Sequence, residues 1–173
     1  LADSAANLVC CARNQKDLNR LSSEIEQIGG RVHTLSLDLM ESNGVKDLIS
    51  WLDKKNLAPD IIVHNLGGSL GVKDVLSDQS AFAKVWKFNV GIGVEINRHF
   101  IPRMCDKNFG RIVHISTLSA KLHTGNLPYV SAKCALEGYV KNISKKFAKH
   151  NVLINAVAPG LVDLPGRYYT ELK

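Results

Sequence analysis

"GRIVHISTLSAKLHTGNLPYVSAKCALEGYVKNISKKFAKHNVLINAVAPG", residues 110–160, changes its hydrophobic period twice. "GRIVHIS" (110–116) and "VLINAVAPG" (152–160) are short runs rich in β-branched residues, and they read as strands. Between them, "YVSAKCALEGYVKNISKKFAKH" (129–150) repeats at helical spacing. A strand, a crossover helix and a second strand form a βαβ unit, which commits the chain to a parallel sheet. Inside the helix, Tyr129 and Lys133 are four residues apart. They project from one face about one turn from each other, so a phenol and an ammonium can act at one place. An ordinary exposed Tyr-Lys pair would look the same in isolation, so the neighbouring segments must decide.

Working outward, the same alternation continues. "NLVCCA" (7–12) reads as a buried strand, and "QKDLNRLSSEIEQIG" (15–29) as a helix stopped at Gly29-Gly30. "RVHTLSLDL" (31–39) alternates as a strand, "SNGVKDLISWLDKKN" (42–56) is amphipathic, and "DIIVHN" (60–65) is a strand before the glycine-rich "LGGSLG". A long helical region covers roughly 80–107. The strands are nearly continuous apolar runs, as expected where helices cover both sheet faces. The reading is an α/β fold with a doubly wound parallel sheet, Rossmann-like and three-layered (α/β/α), in one domain over 1–173. In such sheets ligands bind beyond the carboxyl ends of the strands. Arg13, Asp38, Asn65 to Gly68, Ser116-Thr117 and Pro159-Gly160 all fall at those ends.

Composition narrows the class. A chain of 173 residues with 45% hydrophobic and 22% charged residues can bury one core. No apolar run reaches the roughly 18 residues of a membrane span, and no secretory signal is visible, so a cytoplasmic protein is expected. Four cysteines (Cys10, Cys11, Cys105, Cys134) form no C-x-x-C pair, which points to buried reduced thiols rather than a metal site. The net charge of +6 is concentrated in "KNISKKFAKH" (141–150), where Ile143 and Phe147 alternate with lysines. That is an amphipathic helix with a solvated basic face. It suits solubility first, an acidic partner next, and nucleic acid last, since no stacking platform accompanies it.

Five motifs in order, "HNLGG", "KFNVG", "GRIVHISTLSA", "YVSAK" and "INAVAPG", make the chain resemble a short-chain dehydrogenase/reductase over its whole length. The 3-oxoacyl-acyl-carrier-protein reductases are the most similar members. The resemblance implies that Tyr129 is the general acid/base and that Lys133 favours its phenolate and holds the nicotinamide ribose. A free phenol has a pKa near 10, so such help is needed at neutral pH. It implies a hydroxyl for the substrate oxygen. Counting from Gly110-Arg111 selects Thr117, and counting back from Tyr129 selects Ser116. We favour Thr117 and keep Ser116 as the alternative. Asn89 resembles the asparagine that holds a water linking the lysine to solvent, although an asparagine bending its own helix would look alike.

For the cofactor, the resemblance implies binding by Arg13, Asp38, Leu39, Asn65, Leu66, Gly67, Tyr129, Lys133, Pro159, Gly160 and Val162. In "CCARN" the usual acidic position is Ala12, followed by Arg13, which suits a 2′-phosphate and so NADP(H) over NAD(H). Asp38 would accept from the adenine amino group beside the apolar Leu39. Asn65 would brace the strand, and Gly67 and Gly68 would let backbone approach the cofactor. His64 is read as strand packing. In "PGLVDLPG", Leu164 stands where the family often has threonine, leaving the backbone of Val162 to bind the nicotinamide amide.

The family's opening strand and T-G-x-x-x-G-x-G turn, and its closing strand, do not appear in these 173 residues. That strand would lie between 7–12 and 60–65. The expectation is therefore part of a longer protein, with on the order of 30 residues upstream, and an unstable, inactive fragment if taken alone. The resemblance implies hydride transfer between nicotinamide and a ketone or secondary alcohol, with 3-oxoacyl-thioester reduction the leading case. Hydroxysteroid or sugar alcohol oxidation is the rival, and Leu118, Leu122 and Leu127 would wall an apolar pocket. The partners implied are a small-molecule or acyl-thioester substrate, an acidic acyl carrier protein and further copies of the chain as a dimer or tetramer. A nucleotide-sensing or scaffold protein without catalysis is the alternative.

Overall fold

Asparagine opens the first helix. Asn14 Oδ1 accepts from the backbone N–H groups of Lys16 (3.0 Å) and Asp17 (3.4 Å), and α1 (Gln15–Gln27) follows. In this computed structural model, which describes residues 7–162, α1 connects two parallel strands. These are β1 (Asn7–Ala12) and β2 (Arg31–Ser36), in register from Asn7 with Arg31 to Ala12 with Ser36. Leu18 and Ile25 are the buried residues of α1. After β2 comes α2 (Gly44–Lys54), whose Leu48 and Leu52 are buried. The chain divides after Leu57 into two compact units, and these elements make up the first.

The second unit holds β3 (Ile61–His64), α3 (Gln79–Trp86), α4 (Ile92–Asp106), β4 (Gly110–Ile115), α5 (Leu118–Leu122), α6 (Leu127–Phe147) and β5 (Val152–Val157). Its three strands form a parallel sheet in the order β3-β4-β5. Asp78 caps α3, and a π-type turn (Lys87–Gly91) joins α3 to α4. Ile112 on β4, Val152 and Ile154 on β5, and Ala132, Leu136 and Val140 on α6 form the centre of the core. Each large aliphatic side chain removed from water there contributes about 2 kcal/mol. Ile143 and Phe147 pack against this core while Lys141, Lys145, Lys146 and Lys149 stay exposed, as the alternation in 141–150 requires.

Several expectations need correction. The strand over 7–12 is not buried: β1 alternates exposed and half-buried positions, as does β3, and Val9, Ile61 and Val63 are exposed. A continuous apolar run shows that a strand could be covered on both faces, not that it is. The four thiols are free, but each is half-buried rather than buried. β2 ends at Ser36 and β5 at Val157, both short of the sequence boundaries, while α6 begins at Leu127, two residues early. The helix α5 was not anticipated at all, because five residues are too few to show a period.

Candidate active site

Helix α6 starts where Asn126 Oδ1 accepts from the Tyr129 backbone N–H at 3.0 Å, with Pro128 in the first turn. That start places Tyr129 half-buried in the first turn and Lys133 one turn onward. The Lys133 ammonium lies 5.7 Å from the centroid of the Tyr129 ring and donates to the Ile115 carbonyl at 2.6 Å, at the end of β4. Lys133 is only 3% exposed. Burial disfavours its charged form and brings its pKa from 10.5 down to about 8. The ammonium has three N–H donors, of which the carbonyl takes one. The arrangement suits a vicinal diol such as a ribose.

The glycine turn after β3 lies against the same ammonium. A Cβ on Gly67 would lie 2.7 Å from Asn89 Oδ1 and 2.9 Å from Lys133 Nζ, closer than carbon is ever found, so any side chain there would displace both. Asn89, buried in the π-type turn, grips the next residue twice. Its Oδ1 accepts from Gly68 N at 3.0 Å, and its Nδ2 donates to Gly68 O and to Val85 O, each at 2.8 Å. Both N–H donors are used, leaving one oxygen lone pair for a water.

The two candidate hydroxyls differ sharply. Thr117 is half-buried and extended (φ −158°, ψ 148°), and it caps α5 by accepting from Ser119 N at 3.3 Å. Ser116 is buried, and its hydroxyl donates to Glu137 Oε1 at 2.8 Å. Pro159 O accepts from Leu118 N at 2.9 Å, and Gly160 faces Leu118. Val162 is exposed, as are Leu118, Leu122 and Leu127, the expected pocket walls. Asn65 is exposed and Leu66 half-buried. Leu164 lies outside the described residues.

In the first unit, Arg13 follows β1 with its side chain 68% exposed, its Nη1 3.9 Å from Asp38 Oδ2. Asp38 Oδ1 accepts from Met40 N at 2.9 Å, fixing the carboxylate at the turn after β2, with Leu39 half-buried beside it. The free donors of the Arg13 guanidinium suit a phosphate.

Sequence reading missed two groups. One is a buried polar cluster in which His64 Nε2 meets Asn97 Oδ1 at 2.8 Å. Asn97 Nδ2 meets His114 Nε2 and Tyr139 Oη, each at 3.1 Å, and the imidazoles stack at 4.3 Å. His64 is thus more than packing. The signal was available in the paired "IVH" triplets of β3 and β4, which put His64 and His114 in register. The other is Glu137, one turn beyond Lys133 on α6.

The sequence profile described as short chain dehydrogenase matches residues 1–169. An NADPH-dependent pterin aldehyde reductase of Arabidopsis thaliana is 28% identical over 94% of this chain and 67% of its own. Among solved structures, a 3-oxoacyl-acyl-carrier-protein reductase of Agrobacterium tumefaciens with NADP bound is 25% identical (TM-score 0.82, 94% of this chain and 64% of that one). A 7α-hydroxysteroid dehydrogenase in complex with NADH and 7-oxoglycochenodeoxycholic acid is 26% identical (TM-score 0.84, 92% and 63%). The chain belongs to the short-chain dehydrogenase family, and it has that family's Rossmann-like α/β fold. It spans 53% to 67% of the length of the curated relatives it matches. Family members bind nicotinamide cofactors, with NADP in one of these structures and NADH in the other. Among the described residues no helix is long and apolar enough to cross a membrane.

Proposed function

We propose that the chain carries the catalytic residues of an NADPH-dependent reductase of ketones, with 3-oxoacyl thioesters as the leading substrate class. The observation that carries this reading is the buried Lys133 ammonium one helical turn from Tyr129, with its pKa brought down to about 8. Bound nicotinamide would supply the hydride to the carbonyl carbon, or accept it in the reverse direction. Tyr129 donates a proton to the carbonyl oxygen as negative charge grows there. Lys133 keeps a positive charge beside the phenol, favouring the phenolate left behind, and gives its remaining N–H donors to the ribose hydroxyls. Thr117 steadies the substrate oxygen with its hydroxyl, in preference to Ser116, whose hydroxyl is engaged by Glu137. Asn89 braces the glycine turn against Lys133 and keeps one lone pair for a water that returns protons to the lysine.

Within the first unit, Arg13 is proposed to take the 2′-phosphate and Asp38 the adenine amino group, with Leu39 against the ring. Asn65, Leu66, Gly67, Pro159, Gly160 and the Val162 backbone contact the remainder. The match of one family profile across 1–169 supports a single nucleotide-binding domain. The exposed leucines 118, 122 and 127 favour a substrate with an apolar body. No acidic residue occurs from 138 to 162, so the lysines of α6 suit an acidic acyl carrier protein. The long helices over 79–106 and 127–147 are proposed to join copies into a dimer or tetramer, in the cytoplasm.

The test is NADPH consumption by the full-length protein with 3-oxoacyl thioesters, 7-oxosteroids and ketoses. Turnover of the thioesters, lost in Tyr129→Phe, is the expected result. Turnover of another class would move the substrate assignment. Nucleotide binding with no turnover of any class would favour the sensor alternative.

A further inference from the structure

We infer that Glu137 is a positioning residue that holds the Thr117 hydroxyl toward the face of α6 carrying Tyr129 and Lys133, an inference that rests on the reductase reading above. Residues 129, 133 and 137 are spaced four apart on α6, so one helical face presents all three. The two oxygens of Glu137 grip the turn between β4 and α5 on both sides of Thr117. Oε1 accepts from the Ser116 hydroxyl at 2.8 Å, one residue before it. Oε2 pairs with the Lys121 ammonium, four residues after it. Ser116 is 3% exposed, so its contact is shielded from water, whereas the Lys121 side chain is 61% exposed. Burial pushes the Glu137 carboxyl pKa up, but hydrogen bonds from Lys121 and Ser116 bring it below the ordinary value, so both bonds are charge-assisted at neutral pH.

Between those anchors Thr117 has few remaining freedoms. The backbone before it is fixed by Ser116 N donating to Val157 O at 2.7 Å, and the backbone after it by Leu118 N donating to Pro159 O at 2.9 Å. Helix α5 is tied to α6 a second time, where Cys134 Sγ meets Ala120 O at 3.5 Å. α5 has only five residues and cannot hold its own position. A carboxylate bridging its last turn to the end of β4 sets the angle at which its capping threonine meets α6. A hydroxyl displaced by about 1 Å from a developing oxyanion loses on the order of 10²-fold in rate.

The experiment is a double-mutant cycle in the full-length protein with the ketone that the NADPH-consumption assay identifies. Glu137→Ala is expected to lower kcat about tenfold, with KM for NADPH within about twofold. In a Thr117→Val background the same change is expected to cost less than about twofold, because no hydroxyl remains to be positioned. Lys121→Met, at an exposed site that keeps the fold, should lower kcat about threefold and likewise lose its effect in Thr117→Val. Equal losses with and without the Thr117 hydroxyl would overturn the inference, as would an unchanged kcat in both Glu137→Ala and Lys121→Met. If Thr117→Val is itself fully active, the role given to Thr117 fails and this inference fails with it. If Thr117→Val is crippled while the Glu137 and Lys121 variants are not, only the positioning role falls.

Discussion

Two cations proposed to bind nucleotide are built on opposite plans. Arg13, after β1, lies in water with a long 3.9 Å ion pair to Asp38, itself only partly shielded. Lys133, on α6, is almost wholly buried and has a 2.6 Å bond to a strand-end carbonyl. An exposed pair of that length contributes little to folding. A buried ammonium costs stability unless its environment compensates it. On the proposed reading, the contrast separates recognition, which can be changed at the surface at small cost, from chemistry, which needs a charge held in place before substrate arrives.

Removing the proposed proton donor should have the largest effect. Tyr129→Phe keeps the ring packed and deletes only the hydroxyl. It is expected to lower kcat/KM by about 10³-fold, read in steady-state NADPH oxidation, while nucleotide affinity measured by fluorescence titration changes little. A loss confined to KM would contradict the acid/base role.

Lys133→Met tests the buried side of the contrast more sharply, because activity and stability should move apart. Activity should fall about 10²-fold. For stability, the native pKa of about 8 lies below the ordinary 10.5, so the native state binds fewer protons than the unfolded chain between those values. Stability therefore rises with pH across roughly 8 to 10.5, and below 8 the fold bears the whole cost of the buried charge, about 3 kcal/mol. The lost bond to Ile115 O offsets about 1 kcal/mol of the relief. Thermal melting at pH 7 should show Lys133→Met at least as stable as the parent. A marked destabilisation would mean the ammonium is well compensated.

How much of this was legible follows from range. The elements and the Tyr129–Lys133 pair could be read because they depend on periods within a few residues. Whether β1 and β3 are covered could not, because burial is a property of what packs on a strand. Asn89 was recognised as notable, but its grip on Gly68 joins residues 21 apart and depends on a π-type turn that no i, i+4 pattern announces. Glu137 continued a visible four-residue spacing, yet its partners on β4 and α5 were invisible without the fold. His64 and His114 needed only the strand register to be paired, while Asn97 came from a third element.

Arg13 tests the exposed side. Arg13→Ser should lower the preference for NADPH over NADH about tenfold, the loss of roughly 1.4 kcal/mol from a solvent-screened phosphate contact. Because its native ion pair is long and exposed, the melting temperature should stay within about 1 °C, a shift far below 1 kcal/mol. A preference that does not move would assign the phosphate to other residues.

The last test concerns the histidine cluster, and it shows that burial without catalysis follows the same rule. With Asn97 donating from Nδ2 to His114, the His114 Nε2 must be an acceptor, so the ring is neutral in the fold. Protonation there would oppose two N–H groups and add charge beside His64, whose ring stacks on it at 4.3 Å. Burial, then His64 and Lys133, bring the His114 pKa from 6.5 down to about 3, and burial lowers that of His64 as well, against the hydrogen bond its Nε2 donates to Asn97 Oδ1. Between pH 6.5 and about 3 the unfolded chain thus binds a proton on His114 that the native state refuses, and the lowered His64 acts in the same direction below 6.5. The stability these rings allow is complete above 6.5 and is lost as pH falls, by up to about 1.4 kcal/mol per pH unit for each ring. Urea denaturation from pH 7 to 4 should show that fall. His114→Gln, whose side-chain oxygen can still accept from Asn97, should be flatter by about one proton's worth of slope whatever its absolute stability. An unchanged slope would mean that the carboxylates, not the histidines, set the acid limit of the fold.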